Sequence, residues 1–178
     1  MSLEKEIKLK IKDINEINKK IENSGAKLVE ERYFEDNFLF DFPDNDLYKK
    51  GVALRLRVTP KKSLLTYKGK KINSSHFKIR EEQETEIKDP FILLAILKNI
   101  GLEVKFRYQK FRTIYKKNKL NISIDETPIG NFVELEGEEK EIEEFASYLG
   151  FSKRDFIKMD YIQIFRQTHK GDMVFINE

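Results

Sequence analysis

The chain has no cysteine and only two histidines, His76 and His169, in 178 residues. The first absence removes disulfides and thiolate metal ligands, and two imidazoles this far apart make no zinc set. A hard cation held by oxygen, Mg²⁺ or Mn²⁺, is the metal chemistry left open. No apolar run reaches membrane-spanning length and the N-terminus is charged from Glu4 onward, so neither a signal peptide nor a membrane segment is expected, and the location implied is cytoplasmic. Gly/Ser-rich linkers and low-complexity runs are missing too, so residues 1–178 read as a single domain. Net charge is also scarce: 34 lysines and arginines oppose 31 acids, for +3, which gives no global field for nucleic acid. No Gly-rich phosphate loop, catalytic Ser/His/Asp order or kinase signature is visible. Any function must come from local clustering of charge.

Charge itself is abundant, at 37% of residues, and it alternates. In LEKEIKLKI, Glu4, Glu6, Lys8, Lys10 and Lys12 share one strand face while Ile7, Leu9 and Ile11 share the other. NFVELEG does the same with Glu134 and Glu136 against Val133 and Leu135. Carboxylates gathered on neighbouring strands repel one another unless a cation neutralises them. That crowding predicts that neutralising Glu6 or Glu134 leaves the metal-free protein as stable or more so.

Strands are expected near 3–12, 28–40, 50–59, 62–70, 76–88, 104–117, 119–126 and 131–137, separated by turn signals such as Pro43-Asp44-Asn45 and Asn73-Ser74-Ser75. Three helices are predicted. The first covers 13–24, with Asp13 as cap, Glu16 as the returning acid of a capping box, Ile14, Ile17 and Ile21 as apolar stripe and Gly25 as terminator. The second runs from cap Asp89 through Pro90 and Leu93, Leu94, Ile96, Leu97 and Ile100 to Gly101. A third spans 138–149, followed by shorter helical turns to about 168, and the tail Lys170–Glu178 is expected to fray. The helix-glycine-strand order recurs in NSGAKLVEERYF and NIGLEVKFRYQKF, faintly suggesting two related halves.

Amphipathic helices need an apolar sheet face to cover. If that face is the outside of a closed sheet, the charged residues must line its interior: Arg55 and Arg57 of the third strand, Lys78, Arg80, Glu82, Glu84 and Glu86 of the fifth. The alternative is a solvated charged face with helices packed elsewhere. On this reading Phe34, Phe38, Phe40, Phe42, Phe106 and Phe111 form core beneath the helices, His76 has no role, and Lys61, Lys62, Lys70, Lys71, Lys116, Lys117 and Lys119 are solvated loop residues. On the sixth strand either Lys105 and Arg107 or Lys110 and Arg112 face inward without a bulge, since their parities differ.

The order of these motifs resembles the CYTH family of triphosphate tunnel metalloenzymes, which includes class IV adenylate cyclases and thiamine triphosphatases. Glu4-Lys5-Glu6-Ile7-Lys8 matches its Glu-x-Glu-x-Lys signature, followed in family order by ALRLR, TYKGK, FKIREEQETEI, QKFRTIY, SIDE and FVELE. The resemblance implies an α+β fold: an eight-stranded antiparallel β-barrel with a charged lumen and helices packed outside. It implies Glu4, Glu6, Asp125, Glu134 and Glu136 as metal ligands for Mg²⁺ or Mn²⁺, Lys8, Glu6 and Glu134 as catalytic groups, and Lys8, Arg55, Arg57, Lys68, Lys78, Arg80, Lys110 and Arg112 as phosphate binders. For Asp125 a turn-forming role before Pro128 and Gly130 is the other reading. The implied partner is a triphosphate such as ATP, thiamine triphosphate or tripolyphosphate, with a homodimer left open. The implied reaction is cyclisation to cyclic AMP and pyrophosphate or hydrolysis of an organic or inorganic triphosphate. DYIQIF resembles the Ser-Tyr-containing end of the class IV cyclases, with Asp160 where serine is usual, a departure that counts against the cyclase. A non-catalytic nucleotide or polyphosphate sensor would need the bases but not the full acid set, and an RNA-binding barrel would expose aromatics among its bases.

Overall fold

The computed structural model describes residues 2–176. Eight strands, β1 (Ser2–Ile11), β2 (Lys27–Asp41), β3 (Ala53–Val58), β4 (Ser63–Ile72), β5 (Lys78–Ile87), β6 (Glu103–Lys117), β7 (Leu120–Thr127) and β8 (Gly130–Glu136), close into a barrel in the order β1-β5-β4-β3-β2-β6-β7-β8. Every pairing is antiparallel. The helices are α1 (Ile14–Asn23), α2 (Asp46–Lys49), α3 (Pro90–Asn99), α4 (Glu139–Tyr148) and α5 (Tyr161–Phe165). None among the described residues is long and apolar enough to cross a membrane.

The alternation of each strand decides its two faces. Outward, Ile7, Leu9 and Ile11 of β1, Ile122 and Ile124 of β7 and Val133 and Leu135 of β8 pack under Ile17 and Ile21 of α1 and Ile142, Phe145 and Ala146 of α4. A second outer cluster sets Leu93, Leu94 and Leu97 of α3 over Phe38, Phe40, Leu54 and Leu56 of β2 and β3. With the apolar faces used outside, the charged faces turn inward. The caps work largely as the sequence indicates: Asp13 accepts from the Glu16 amide and Asp89 from the Phe91 and Ile92 amides, while Gly25 and Gly101 follow their helices at positive φ. The Glu16 side chain does not return to the cap but pairs with Lys20 at 2.7 Å.

Three expectations change. Phe106 does not lie beneath an outer helix; its parity on β6 is that of Tyr108, Lys110 and Arg112, and it packs with Tyr108, Phe132, Tyr161, Phe165 and Met173 at one end of the lumen. The helices are not all outside, since α5 sits on that end of the barrel. The C-terminal tail is docked rather than frayed as far as the description extends. Met173 is fully buried and hydrogen-bonds through its backbone to Arg107 and Gln109, and the Gln109 side chain accepts from the Phe175 amide; Asn177 and Glu178 lie outside the described residues.

Candidate functional site

A cavity of about 1060 Å³ runs inside the barrel. Fourteen lysines and arginines and seven acids line it, which leaves twenty and twenty-four for the rest of the chain. Bases therefore outnumber acids along the cavity and its mouth. Low-dielectric walls focus such a field on whatever anion enters.

The register sets where each group stands. Glu6 faces Lys78 across β1–β5 and Glu136 across β1–β8, and Lys8 faces Glu134. Lys8 Nζ lies 2.9 Å from Glu6 Oε1 and 3.1 Å from Glu134 Oε2, and Lys78 Nζ also bonds Glu6. Burial opposes the charge on Glu6, but Lys78 and Lys8 override it and hold its carboxyl well below the usual range. Glu134 is held down against burial in the same way, by Lys8 and Arg112. Glu134 still opposes the charge on Glu6, but the neighbouring bases outweigh that repulsion, and each acid is a counter-ion in a buried lattice.

Repulsion survives elsewhere. Burial, the hydrogen bond with Glu82 and the charge of Glu6 push Glu4 up to about 8. Against the same burial, its partner Glu82 is lowered to about 2 by Glu4 and by Lys68 and Arg55. Burial and the charges of Glu134 and Glu6 likewise raise Glu136. Among the described residues no three acids stand close enough together to hold a metal. The donor set still fits one, because Glu4 and Glu136 line the cavity beside Glu6 and Glu134 and offer hard oxygens whose carboxyls are raised by burial and by neighbouring acids, a repulsion that a bound cation relieves.

Asp125, expected as a metal ligand, is held by neighbouring donors in the barrel wall. It is fully buried, and its two oxygens accept from Arg112 Nε and Nη2 at 2.6 and 2.7 Å, Lys110 Nζ at 2.9 Å and the Tyr161 hydroxyl at 2.6 Å. Three of these donors meet Oδ2 and one meets Oδ1. It fixes Arg112, whose other contact is Glu134 Oε1 at 2.9 Å.

The opposite wall is built from β2, β3 and β6. Arg55 donates to the Tyr108 hydroxyl and Thr66 Oγ1, both at 3.3 Å, while its Nε, the Arg57 Nε and the whole side-chain amide of Asn37 are buried without hydrogen-bond partners. Unpaired buried donors of this kind are costly until acceptor oxygens reach them. Lys68 bridges Glu4 and Glu82 at 3.0 and 2.9 Å. Arg80 is turned to the mouth, where it donates to the carbonyls of Gly69, Gly51 and Lys68 and braces the β3 and β4 ends.

Sequence reasoning missed several groups on this wall. Glu35, completely buried, accepts from the Tyr33 hydroxyl at 3.0 Å and lies 3.5 Å from Lys110 Nζ and 3.7 Å from Arg57 Nε. Its signal was present: reading Phe34, Phe38 and Phe40 as outward assigns Tyr33, Glu35, Asn37 and Leu39 to the lumen. Tyr161 had no such signal, because it arrives from a helix rather than a strand. Lys70 and Lys71, expected in solvent, line the mouth, and Lys71 Nζ bonds Gln163 Oε1 at 2.8 Å. Glu86 stays exposed, whereas Glu84 accepts from Thr66 at 2.8 Å. Lys105 and Arg107 have the outward parity; Arg107 pairs with Asp36 at 2.6 Å.

Comparison with known proteins agrees with this architecture. A protein named as a putative adenylate cyclase from Methanocaldococcus jannaschii is 33% identical over 173 residues, covering 91% of this chain and 98% of its own. The crystal structure of a putative adenylate cyclase from Vibrio parahaemolyticus superposes with a TM-score of 0.81 at 22% identity, over 92% of this chain and 97% of that one. A Hippeastrum protein, named a putative adenylyl cyclase with a dominant triphosphatase activity, superposes at 0.64 with 20% identity, over 92% and 95%. Residues 2–151 match the model of the CYTH domain, which contains every lumenal charge described above except those of the C-terminal segment, and the chain belongs to the CYTH family.

Proposed function

We propose that the protein is a metal-dependent enzyme that acts on a triphosphate. The observation that carries this reading is the division of one cavity into two kinds of wall. Arg55, Arg57, Lys68, Lys110 and Arg112 present donors to a polyanion, and Glu4, Glu6, Glu134 and Glu136 gather oxygen ligands beside it. Arginine forks suit phosphoryl oxygens because they bind two at once. A Mg²⁺ or Mn²⁺ ion held by carboxylates from among Glu4, Glu6, Asp125, Glu134 and Glu136 would supply charge neutralisation at the reacting phosphoryl group.

The chain's own residues do the rest by position. Asp125 holds Arg112 and Lys110 at fixed angles, and Tyr161, whose proton is held well above the usual phenol range by burial and by Asp125 and Glu134, locks Asp125 in turn. Glu35 spaces Arg57 from Lys110 and keeps two like charges on one wall. Such preorganised donors stabilise developing negative charge without reorganising during reaction. A pure sensor would need Glu6 and Glu134 as counter-ions but has no use for Glu4 and Glu136 beside them.

Asp160, standing where the class IV cyclases usually have serine, counts against the cyclase and for the triphosphatase. Its carboxylate caps α5 by accepting from the Gln163 amide at 2.9 Å, as a serine could, but it also lies 3.5 Å from Lys71 and adds a negative charge at the mouth that serine would not supply. The relative with triphosphatase activity and the relatives named as cyclases keep both products in view. Incubating the protein with ATP, thiamine triphosphate or tripolyphosphate, each with Mg²⁺ or Mn²⁺, and identifying the products separates them. Cyclic AMP with pyrophosphate marks a cyclase and orthophosphate a triphosphatase; no turnover of any triphosphate with either metal overturns the enzyme reading.

A further inference from the structure

Glu35 is an acid set among bases. On β2 it stands opposite Lys110 of β6, and Asn37, the next lumenal residue of the strand, stands between Arg57 of β3 and Tyr108 of β6. The Glu35 carboxylate is completely buried. Oε1 accepts from the Tyr33 hydroxyl at 3.0 Å, but Oε2 has no hydrogen-bond partner and lies 3.5 Å from Lys110 Nζ and 3.7 Å from Arg57 Nε. Asp125 and Glu6 hold their bases more closely: Asp125 takes Arg112 at 2.6 and 2.7 Å and Lys110 at 2.9 Å, and Glu6 takes Lys8 at 2.9 Å. Glu35 thus attracts two bases of the cavity lining without closing a hydrogen bond to either. Packing does not demand an acid here, since the same row accommodates Asn37, equally buried, as a neutral amide. What the charge adds is a partial neutralisation of Arg57 and Lys110, two groups on which a phosphate chain would draw.

We propose that Glu35 competes with the phosphate chain for Arg57 and Lys110 and so limits how tightly substrate and product are held. The inference rests on the triphosphate reading of the lumen. Phosphoryl oxygens that reach Arg57 and Lys110 come close to the Glu35 carboxylate behind them. Like charges at short range between low-dielectric walls repel strongly enough to weaken binding by about tenfold. Binding that is equally tight for substrate and transition state does not raise the turnover rate, and a product held too tightly slows its own release. An anion fixed behind the two bases keeps them in place by attraction and shortens the stay of the phosphates in front of them.

Titration calorimetry of tripolyphosphate and pyrophosphate into the metal-free full chain tests the idea. Glu35→Gln, which keeps the shape and removes the charge, is expected to bind both anions about tenfold more tightly than the parent, and Glu35→Asp, which keeps the charge, is expected to bind them as the parent does. With tripolyphosphate and Mg²⁺ or Mn²⁺, Glu35→Gln should show a lower KM together with a lower kcat. A purely structural role has the opposite sign, because bases that lose the group ordering them bind phosphate less well. Should Glu35→Gln fold poorly, Tyr33→Phe carries the test: freed from the hydroxyl, the carboxylate can close on Arg57 and Lys110, so affinity should fall by about threefold or more. A Glu35→Gln that binds neither anion more tightly, or that turns over with the kcat of the parent, overturns the proposal, as does a Tyr33→Phe that binds as tightly as the parent. A parent that binds no tripolyphosphate overturns the triphosphate reading itself; a parent that binds it with Glu35→Gln no tighter overturns this inference alone.

Discussion

Glu6 and Glu136 stand opposite each other on β1 and β8, yet their surroundings pull their ionisation apart. Removing the charge of Glu6 leaves Lys8 and Lys78 buried with one counter-ion fewer, and breaking a buried pair from one side costs about 3 kcal/mol or more. Glu6→Gln should therefore lower the melting temperature of the metal-free protein by about 6–12 °C, at about 2–4 °C per kcal/mol for a chain of this size. Glu136→Gln should leave it unchanged or higher, because that carboxyl is raised by burial and by Glu134 and Glu6. Both variants should lose metal-dependent turnover. Parallel calorimetric scans decide the matter, and equal losses of stability in the two would show that the glutamates share one environment. Glu35 gives a pH test. Burial opposes its charge, but Lys110, Arg57, Arg112 and Arg55 hold its carboxyl well below 4.5. A depressed folded-state pKa contributes stability that is present above about 4.5 and disappears as the pH falls below it. Urea midpoints measured between neutral and acid pH should fall less steeply in Glu35→Gln than in the parent, with the variant the less stable at pH 7. Parallel curves would mean that Glu35 is not coupled to the basic wall.

Among the elements, the C-terminal segment differs most from its sequence expectation. Polar, glycine-containing and terminal, HKGDMVFINE reads as a fraying tail. In the fold, Met173 closes an edge of β6 that β7 does not reach, and Ile157 does the same for β1 by exchanging backbone hydrogen bonds with Lys8 at 2.9 and 3.0 Å. Pairing these edges removes exposed strand backbone. Met173→Ala should cost about 2–4 kcal/mol, as for other large-to-small changes in a fully buried site, and Ile176→Ala, at an exposed position, should cost almost nothing. Denaturant titration of the two variants checks this; a neutral Met173→Ala would return the tail to a peripheral role. Of the three long helices, in contrast, α1 and α3 were readable from cap residue, apolar period and terminal glycine, and α4 from its terminal glycine, because those signals are local. The α2 turn was passed over because four residues carry no periodicity, and α5 was only one of several expected helical turns until tertiary contact placed Tyr161 on Asp125.

For the molecule as a whole, bases outnumber acids along the lumen and its mouth, and the cost of that excess is relieved by a polyanion only when the barrel is closed. Tripolyphosphate at about 100 times its dissociation constant should stabilise the fold by roughly 2.7 kcal/mol, or about 5–11 °C in the melting midpoint, and orthophosphate should not. Arg57→Ala should reduce that shift, since its Nε is buried without a partner. Coincident melts with and without tripolyphosphate would show that the lumen does not bind the phosphate chain.

The two-residue alternation of β1, β3, β5 and β8 by itself determined that this protein has one charged and one apolar sheet face, since side-chain direction along a strand is a local property. The need of amphipathic helices for an apolar sheet pointed to an inward charged face but left a solvated one open, and closure of the barrel with its apolar face under α1 and α4 decided between them. What only the tertiary structure decided is which charges neutralise one another. Glu6 became a counter-ion, Glu4 a proton-sharing neighbour of Glu82 and Asp125 the anchor of Arg112, because cross-strand register and the arrival of α5 set distances of a few ångströms between residues far apart in sequence. Coulomb interactions in a low-dielectric lumen depend on those distances, and sequence parity does not contain them.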